Sequence, residues 1–252
     1  MKQFFEEYGG VSLGILAVLV LVAIVNPVGG GVKNSLTGIT KGFDDKMKNG
    51  LNNSGFGFGG DSLPEQTISL ATGQKITIGG KEYTVIENVQ DNQYKVLATD
   101  LANNGEGIAF DDNSNDYKTS TIATYLDNDY YNSLPENIKN AIVETPIQQK
   151  ISSTGYDNGK NSPTWTGEVK EGGAHKVFIP SWDEFTKVAG GTDATTLGSF
   201  MNSLTICLRD THFSYVLYVN YLGTLKSQQP ISVYNIRPAM VIDLSKINFA
   251  IK

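Results

Sequence analysis

The sequence predicts an α+β globular domain that follows an N-terminal apolar α-helix. Residues 8 to 32 contain no charged side chain, and residues 11 to 25 are almost wholly aliphatic. A helix needs about 20 apolar residues to cross the ~30 Å hydrocarbon core of a bilayer, so this segment predicts a transmembrane anchor. Beyond residue 65 the patterns predict strands, then helices, then strands again, an order typical of α+β domains.

The apolar segment is interpreted as a retained anchor, and two alternatives remain open. The first is a cleaved signal peptide, although Glu6 and Glu7 stand beside a lone Lys2 and no A-x-A cleavage site follows. The second is a buried core helix of a globular domain.

Three segments organise the chain. Residues 1–48 form the predicted anchor or assembly helix, which includes a glycine-rich break and an amphipathic stretch with an apolar stripe. Residues 49–65 are rich in glycine and asparagine without periodicity, which predicts a linker. Residues 66–252 are long enough to bury the core of one α+β domain.

The domain opens with a predicted β-hairpin. Residues 75–78 and 81–86 are strand-like and flank Gly79-Gly80, a pair that favours a two-residue hairpin turn. A third strand is predicted at residues 93–99, after a short polar turn.

Helices are predicted in the middle of the domain, the first over residues 120–131. Two more begin at capping boxes, in which a serine and a glutamate three residues later satisfy free amide groups. These boxes are Ser133-Leu134-Pro135-Glu136, with a helix to about residue 143, and Ser181-Trp182-Asp183-Glu184, with a helix that ends at Gly190-Gly191.

The C-terminal third returns to strands, predicted at residues 203–209, 215–221 and 239–244. The chain has a single cysteine, Cys207, which excludes an intrachain disulfide. Because Cys207 lies in an apolar strand-like run, it is predicted to be a buried small apolar residue.

Composition excludes one class of partner. Charged residues make up 18% of the chain, the net charge is −6, and only Arg209 and Arg237 are arginines. Nucleic-acid binding needs a basic footprint for the phosphate backbone, so no nucleic-acid partner is expected.

The N-terminal segment resembles Flp-type pilins and other one-span pilin-like subunits of bacterial envelope machines. The similarity lies in Glu6-Glu7-Tyr8-Gly9-Gly10, the aliphatic run, the glycine break and the short amphipathic helix. It implies that identical helices pack together in a filament core or a membrane cluster.

Residues 70–246 resemble an uncharacterised domain family common in Gram-positive bacteria, which carries W-x-V-L, L-N-x-x-F-Y and V-R-P-A patterns. Here Tyr83 stands in place of the Trp and Tyr130 in place of the Phe. The C-terminal part also resembles C-type-lectin-like domains, through Leu208-Arg209, a variable hairpin and Ile236-Arg237-Pro238-Ala239. That group of domains includes targets diversified by bacterial retroelements. The resemblance implies a C-type-lectin-like α+β fold that binds a ligand.

The hairpin near residue 213 is the candidate ligand surface, since rigid aromatic and small polar side chains suit recognition. Residues 203–225 contain no Lys, Glu, Gln, Met or Trp. An ordinary β-hairpin, which favours Tyr, Val, Phe and Thr, accounts for this composition first, and sequence diversification is the alternative. The candidate ligand-binding residues are Asp210, Thr211, His212, Phe213, Tyr215, Tyr218, Asn220, Tyr221, Tyr234 and Asn235.

The sequence predicts no catalytic residue, no metal ligand and no cofactor. His175 and His212 lie in no known catalytic or metal-binding motif. The acidic loop 111–116 begins like a calcium loop but lacks the glycine at position six and the glutamate at position twelve. Three residues are expected to be structural: Trp182, Arg237 and Pro238. Arg237 is expected to pair with an interior carboxylate or with carbonyl groups.

Together these features predict a membrane- or filament-rooted surface display protein with an adhesive, lectin-like domain that binds an extracellular protein or glycan. The alternative is a pilin-like structural subunit of a bacterial filament or of a secretion or conjugation apparatus. The expected partners of the N-terminal helix are the membrane or identical copies. Lysines beyond the apolar segment favour a cytoplasmic domain, but the acidic, Asn- and Gly-rich composition favours the cell surface, where the domain is predicted.

Overall fold

A computed structural model of the protein describes residues 68–153 and 161–252. These residues belong to the compact unit Gln66–Lys252. The predicted anchor helix at 1–48 and the linker at 49–65 lie outside the described residues. Within the described ranges, no helix has both the length and the apolar content needed to cross a membrane.

The described residues form strands in three sheets. The strands are β1 Lys75–Ile78, β2 Lys81–Gln90, β3 Gln93–Ala98, β4 Ile108–Ala109, β5 Ile142–Val143, β6 Thr145–Ser152, β7 Trp165–His175, β8 Ile206–His212, β9 Tyr215–Val219, β10 Leu225–Gln228, β11 Val233–Tyr234, β12 Ala239–Asp243 and β13 Phe249–Ile251. The first sheet has the order β13-β1-β2-β3-β12-β5, the second has the order β10-β9-β8-β6-β7, and β11 pairs with β4. The named strands pair antiparallel except β6 and β8, which are parallel.

The helices of the described residues are short. They are α1 Thr121–Tyr125, α2 Tyr131–Ser133, α3 Glu136–Lys139, α4 Trp182–Ala189 and α5 Ala194–Met201. A π-helical turn, Leu126–Tyr130, joins α1 to α2, and 3-10 turns occur at Ala102–Gly105, Tyr117–Thr119 and Leu244–Lys246.

The predicted fold class, a transmembrane or pilin-like helix followed by a C-type-lectin-like α+β domain, is therefore wrong. The described domain is mainly β, and its longest helices, α4 and α5, have 8 residues each. No described helix supports a membrane span. The physical reason lies in the middle of the chain, where β-branched residues join a sheet instead of extending a helix.

The first hairpin is confirmed. Gly79 and Gly80 both have positive φ, 56° and 80°, the backbone shape that a type I′ turn requires and that glycine adopts without a steric cost. Ile76 and Ile78 alternate inward from β1 and are fully buried, so the period-2 pattern of the strand identifies its core face.

The helix predicted at the second capping box is confirmed as α4. The Ser181 side chain accepts a hydrogen bond from the Glu184 amide, and the Glu184 side chain accepts one from the Ser181 amide at 2.9 Å. Gly190 ends the helix with a φ of 85°. Helix α4 contacts β2 of the first sheet and β8 of the second, so it links the two sheets.

The first predicted capping box does not form. Ser133 instead donates to the carbonyl of Tyr130 at 2.6 Å, and α3 ends at Lys139. Ile142 and Val143, which were expected in the helix, form β5 and pair with Ile242 and Val241 of the first sheet. Sheet pairing of two β-branched residues outweighs the local helix signal here.

The turn between β9 and β10 packs against α5 at Gly223. Gly223 has a φ of 76°, and a side-chain carbon there would overlap the carbonyl oxygen of Ala194 and the amide nitrogen of Gly198. Glycine is therefore needed both for the backbone conformation and for the close approach.

We expect Gly223→Ala to destabilise the full chain by roughly 2–5 kcal/mol, the sum of left-handed strain and overpacking. The matched control is Gly73→Ala. Gly73 has a φ of 81° but open space around it, so only the strain of about 1–2 kcal/mol applies. Urea unfolding measures both variants. Equal losses would show that the contact with α5 is not tight.

Candidate functional site

A bulge in β8 builds the most unusual interior feature of the domain. The pairing register with β9 shifts between Cys207 and Thr211, so three residues of β8 oppose the single residue Leu217. A bulge breaks the alternation of a strand and re-aims its side chains. Residues 208–210 are consequently all buried, including the adjacent charged residues Arg209 and Asp210.

The Arg209 guanidinium forms a two-pronged ion pair with Glu184 at the start of α4. Nη2 donates to Oε1 at 2.8 Å and Nη1 donates to Oε2. Nε donates to the Gln148 carbonyl at 2.8 Å, and Nη1 also donates to the Ile179 carbonyl at 2.9 Å. Such a fork-to-fork geometry, with Nε and Nη1 also bound to carbonyl groups, is the arrangement in which a buried ion pair is tolerated.

The ion pair extends to the first sheet through Lys95. Lys95 Nζ donates to Glu184 at 2.8 Å and to Glu87 at 2.7 Å, and Lys187 Nζ reaches the other Glu87 oxygen at 2.6 Å. Burial alone would raise the pKa of Glu184, but Arg209 and Lys95 lower it to about 2. Glu184 is therefore a stable carboxylate that joins α4 to both sheets.

Asp210 is fully buried beside this network. Its two oxygens accept the amide N–H groups of Lys150 at 2.9 Å and Trp182 at 2.7 Å. Burial raises the pKa of Asp210 to about 6, although Arg209 and the two amides act in the opposite direction. Asp210 thus ties the N-terminus of α4 to β6.

A cleft of about 570 Å³ lies next to the network and is lined in part by Lys95, Lys150, Glu184, Arg209 and Asp210. Its size is in the range of small-molecule sites. However, Lys150 pairs with Asp183 at 2.5 Å, Lys95 and Arg209 bind Glu184, and Asp210 accepts two backbone amides. The acceptors and donors of these side chains are already engaged, so the geometry favours a structural role for them.

In contrast to the buried charged network, the turn between β8 and β9 carries aromatic side chains at the surface. Phe213 has a φ of 48° and 58% of its surface is exposed. Positive φ is strained for a bulky residue. The ring of Phe213 lies 4.9 Å from that of His212, and the Tyr215 ring stacks on His212 at 6.2 Å. Three adjacent rings therefore cluster at one turn.

Neighbouring loops frame this turn. Asn115 donates its side-chain N–H to the Phe213 carbonyl, and Ser227 of β10 is within 3.3 Å of His212 Nδ1. The Pro230 carbonyl accepts the Asp111 amide at 3.2 Å, which brings the exposed Ile231 to the same end of the sheet. We call His212, Phe213, Tyr215 and Ile231 the aromatic end surface.

The acidic loop beside this surface is organised by the protein itself. One Asp111 oxygen accepts the amides of Asn113 and Ser114, each at 3.0 Å. The other accepts the Thr121 amide at 3.1 Å. These hydrogen bonds lower the pKa of Asp111, against the small opposing effect of burial. Asp111 therefore orders the loop as a carboxylate.

The structure does not gather the ten candidate ligand-binding residues into one surface. Their different environments follow from the β8 bulge and from the two separate turns. Asp210, Thr211 and Tyr234 are buried, so the prediction that they face solvent is wrong. His212, Phe213 and Tyr215 form the cluster at the β8–β9 turn.

The remaining four candidates lie elsewhere. Tyr218 is half-buried, and its ring is 5.2 Å from that of Tyr234. Asn220 accepts the amides of Leu222 and Thr224 within the β9–β10 turn, which is also the turn of the exposed Tyr221. Asn235 donates to the Gly105 carbonyl at 3.0 Å.

The residues expected to be structural divide into two groups. Trp182 and Pro238 are buried, and the Pro238 carbonyl accepts the Ala98 amide at 2.8 Å. Cys207 is fully buried, as predicted, and burial raises the pKa of its thiol. The pairing expected for Arg237 is wrong, since its guanidinium has no hydrogen-bond or ion-pair partner among the described residues.

Sequence reasoning also missed the partners of Arg209. The sequence patterns place Glu184 only in a capping box and residue 95 only within the strand predicted at 93–99. A signal was present for Glu184, because one of only two arginines in the chain lies in an apolar strand and a buried arginine requires a carboxylate or carbonyl groups. No local signal identifies Lys95 or Asn115.

His175 shows how a histidine can be satisfied within this interior. Nδ1 contacts an Asp127 oxygen, and Nε2 lies 2.7 Å from the Gly172 carbonyl. Burial disfavours the charged ring, but these two acceptors raise the pKa of His175 overall. Both ring nitrogens therefore face acceptors, and both donate only when the ring is protonated.

The described residues thus define a small β domain with two main sheets and a short third one, an ion-pair network inside and an aromatic turn outside. Residues 91–244 match the model of a protein family described as a Domain of unknown function (DUF6273). The match covers more than half of the chain, and the chain belongs to this family. No curated protein and no solved structure matches the chain.

We expect Arg209→Met to destabilise the full chain by about 3–5 kcal/mol, because Glu184 stays buried without its main partner. Adding Glu184→Gln, which preserves the helix cap, should recover part of this loss through coupling of roughly 0.5–3 kcal/mol. The control is Lys75→Met in an exposed pair with Glu82, which should cost at most about 1 kcal/mol. Urea unfolding of the single and double variants tests this, and strict additivity would contradict the paired network.

A pH dependence follows from Asp210, whose pKa is about 6 in the folded state against the ordinary 3.8. The folded state holds a proton that the unfolded state has lost, so stability falls as pH rises from about 4 to about 6, by up to about 3 kcal/mol. We expect Asp210→Asn to remove this slope. The unfolding free energies of wild type and Asp210→Asn are measured from pH 4 to 7. Their difference isolates the contribution of Asp210 from that of Glu184. A difference that is flat with pH would contradict the raised pKa.

Proposed function

We propose that the domain is a non-enzymatic recognition module that binds a protein through the aromatic end surface. The observation that carries the proposal is Phe213, an exposed aromatic residue with a φ of 48° at a two-residue turn. A left-handed backbone at a bulky residue and an exposed aromatic ring each carry a free-energy cost. Backbone strain of this kind persists where the surrounding structure enforces it, and strained residues cluster at functional sites.

The physical character of the surface suits a protein partner. Phe213, Tyr215 and Ile231 are exposed by 58%, 41% and 57%, and aromatic anchors of this type dominate the energetics of protein interfaces. The hydrogen bond from Asn115 and the contact between Ser227 and His212 hold the turn. A held surface loses little conformational entropy on binding.

Charge adds a preference for the kind of partner. The loop 111–116, which contacts the turn through Asn115, carries three aspartates. Opposite charge around an apolar centre raises the association rate and excludes wrong partners. The proposed partner is therefore a protein with an apolar pocket and a basic rim.

Two parts of the sequence-based hypothesis stay predictions. Attachment of the domain to a membrane or filament and its extracellular location depend on residues 1–48, outside the described residues. The pilin-like alternative depends on the same segment. Recognition by the aromatic end surface does not require either.

Photo-crosslinking identifies the partner. Benzoylphenylalanine in place of Phe213 should form a covalent adduct with a partner protein in the producing cells, and mass spectrometry should identify it. The same amino acid in place of Leu222, which is 59% exposed at the other turn, is the matched control. Adducts at both positions or at neither would contradict the proposal. An adduct with a glycan would show that the partner is a carbohydrate and not a protein.

We expect Phe213→Asn to keep or raise the melting temperature, because Asn tolerates the left-handed conformation. The same change should weaken binding to the crosslinked partner at least tenfold, as loss of an aromatic anchor does. Leu222→Asn should leave binding unchanged. Calorimetry measures both, and a Phe213→Asn variant that unfolds would show that the ring supports the fold.

A further inference from the structure

Arg237 is a buried cation without a partner in the described part of the chain. Only 6% of its surface is exposed. Its Nε is fully enclosed and makes no hydrogen bond, and neither a carboxylate nor a carbonyl oxygen is within bonding distance of its guanidinium among the described residues. Burial lowers the pKa of Arg237, with no charged neighbour to oppose the effect.

The other arginine of the chain provides the contrast. Arg209 is buried to a similar degree, yet its guanidinium bonds to the Gln148 and Ile179 carbonyls and to Glu184. A guanidinium has five donors and is seldom buried unless they are used. Arg237 is also desolvated, but its guanidinium makes no such bonds with the described residues.

The surroundings hold Arg237 in place. The Ile236 carbonyl accepts the Ala102 amide at 2.9 Å, and the Pro238 carbonyl accepts the Ala98 amide at 2.8 Å, so the backbone is fixed on both sides. The guanidinium lies over the Phe200 ring at 5.1 Å. Stacking on an aromatic face leaves the edge of the guanidinium available for planar, two-pronged bonding.

A purely structural role does not account for the residue. Covering Phe200 requires only an apolar side chain, and Met would do so without burying a charge. The enclosed Nε is a donor whose desolvation no described residue offsets, and an anion bound at the guanidinium would supply acceptors.

We propose that Arg237 is the anchor of an oxyanion-binding site, which takes a carboxylate or phosphate group between its guanidinium edge and the surrounding loops. This site is separate from the aromatic end surface. Its ligand is a small anion or an anionic group carried by a larger molecule.

Side-chain NMR of the full chain tests the proposal with an internal control, because the protein has two arginines and hence two Nε–H signals. Sodium acetate and sodium phosphate are titrated separately, with sodium chloride at matched ionic strength. The Arg237 signal, assigned by its loss in Arg237→Met, should shift saturably with acetate or phosphate, while the Arg209 signal stays fixed. The oxyanion that saturates at lower concentration identifies the ligand class. No saturable shift with either would overturn the proposal.

Thermal unfolding provides a second measurement. Arg237→Met should melt at a higher temperature than wild type without added oxyanion, and it should lose the rise in melting temperature that acetate or phosphate gives to wild type. Phe213→Asn should retain that rise, which separates this site from the aromatic end surface. A lower melting temperature for Arg237→Met with an unchanged anion response would overturn the proposal. If that variant does not fold, Arg237→Lys assigns the Arg237 signal and the wild-type titration decides.

Discussion

The contact between Arg209 and Glu184 is the constraint on which the domain is built. Arg209 comes from the second sheet, Glu184 from the linking helix, and Lys95 from the first sheet, and all three charged groups meet in one place. Apolar packing is tolerant of small shifts, whereas a two-pronged ion pair with fixed donors is not. The relative placement of the sheets is therefore set by geometry as well as by burial.

The domain contains two kinds of residue that cost free energy through desolvation or strain. They differ in whether contacts inside the protein offset that free energy. The network around Glu184 is costly to desolvate, but its hydrogen bonds are formed inside the protein. Phe213 has a left-handed backbone and an exposed ring, and Nε of Arg237 makes no hydrogen bond with the described residues. Such residues are where a binding partner would gain the most free energy, since the domain has already ordered them.

The sequence predicted the features that depend on neighbouring residues. The Gly79-Gly80 turn and the Ser181–Glu184 capping box were found because their physics is contained in a few residues. The fold class failed where longer-range pairing decides, as when Ile142 and Val143 joined β12. The candidate site was predicted only in part. His212, Phe213 and Tyr215 cluster, but the bulge that turns Asp210 inward depends on pairing with β9 and on the amides of α4, which no local pattern reveals.

The pairing of β1 with β13 has a consequence for how the chain is made. Ile76 lies opposite Ile251, so β1 is synthesised well before β13, the strand that completes this edge of the first sheet. Until then, the outer edge of β1 offers unpaired amide and carbonyl groups, which invite strand addition by another nascent chain. Synthesis of this domain thus passes through a stage in which most of the core exists but one sheet is open, and chaperone protection would matter most at that stage.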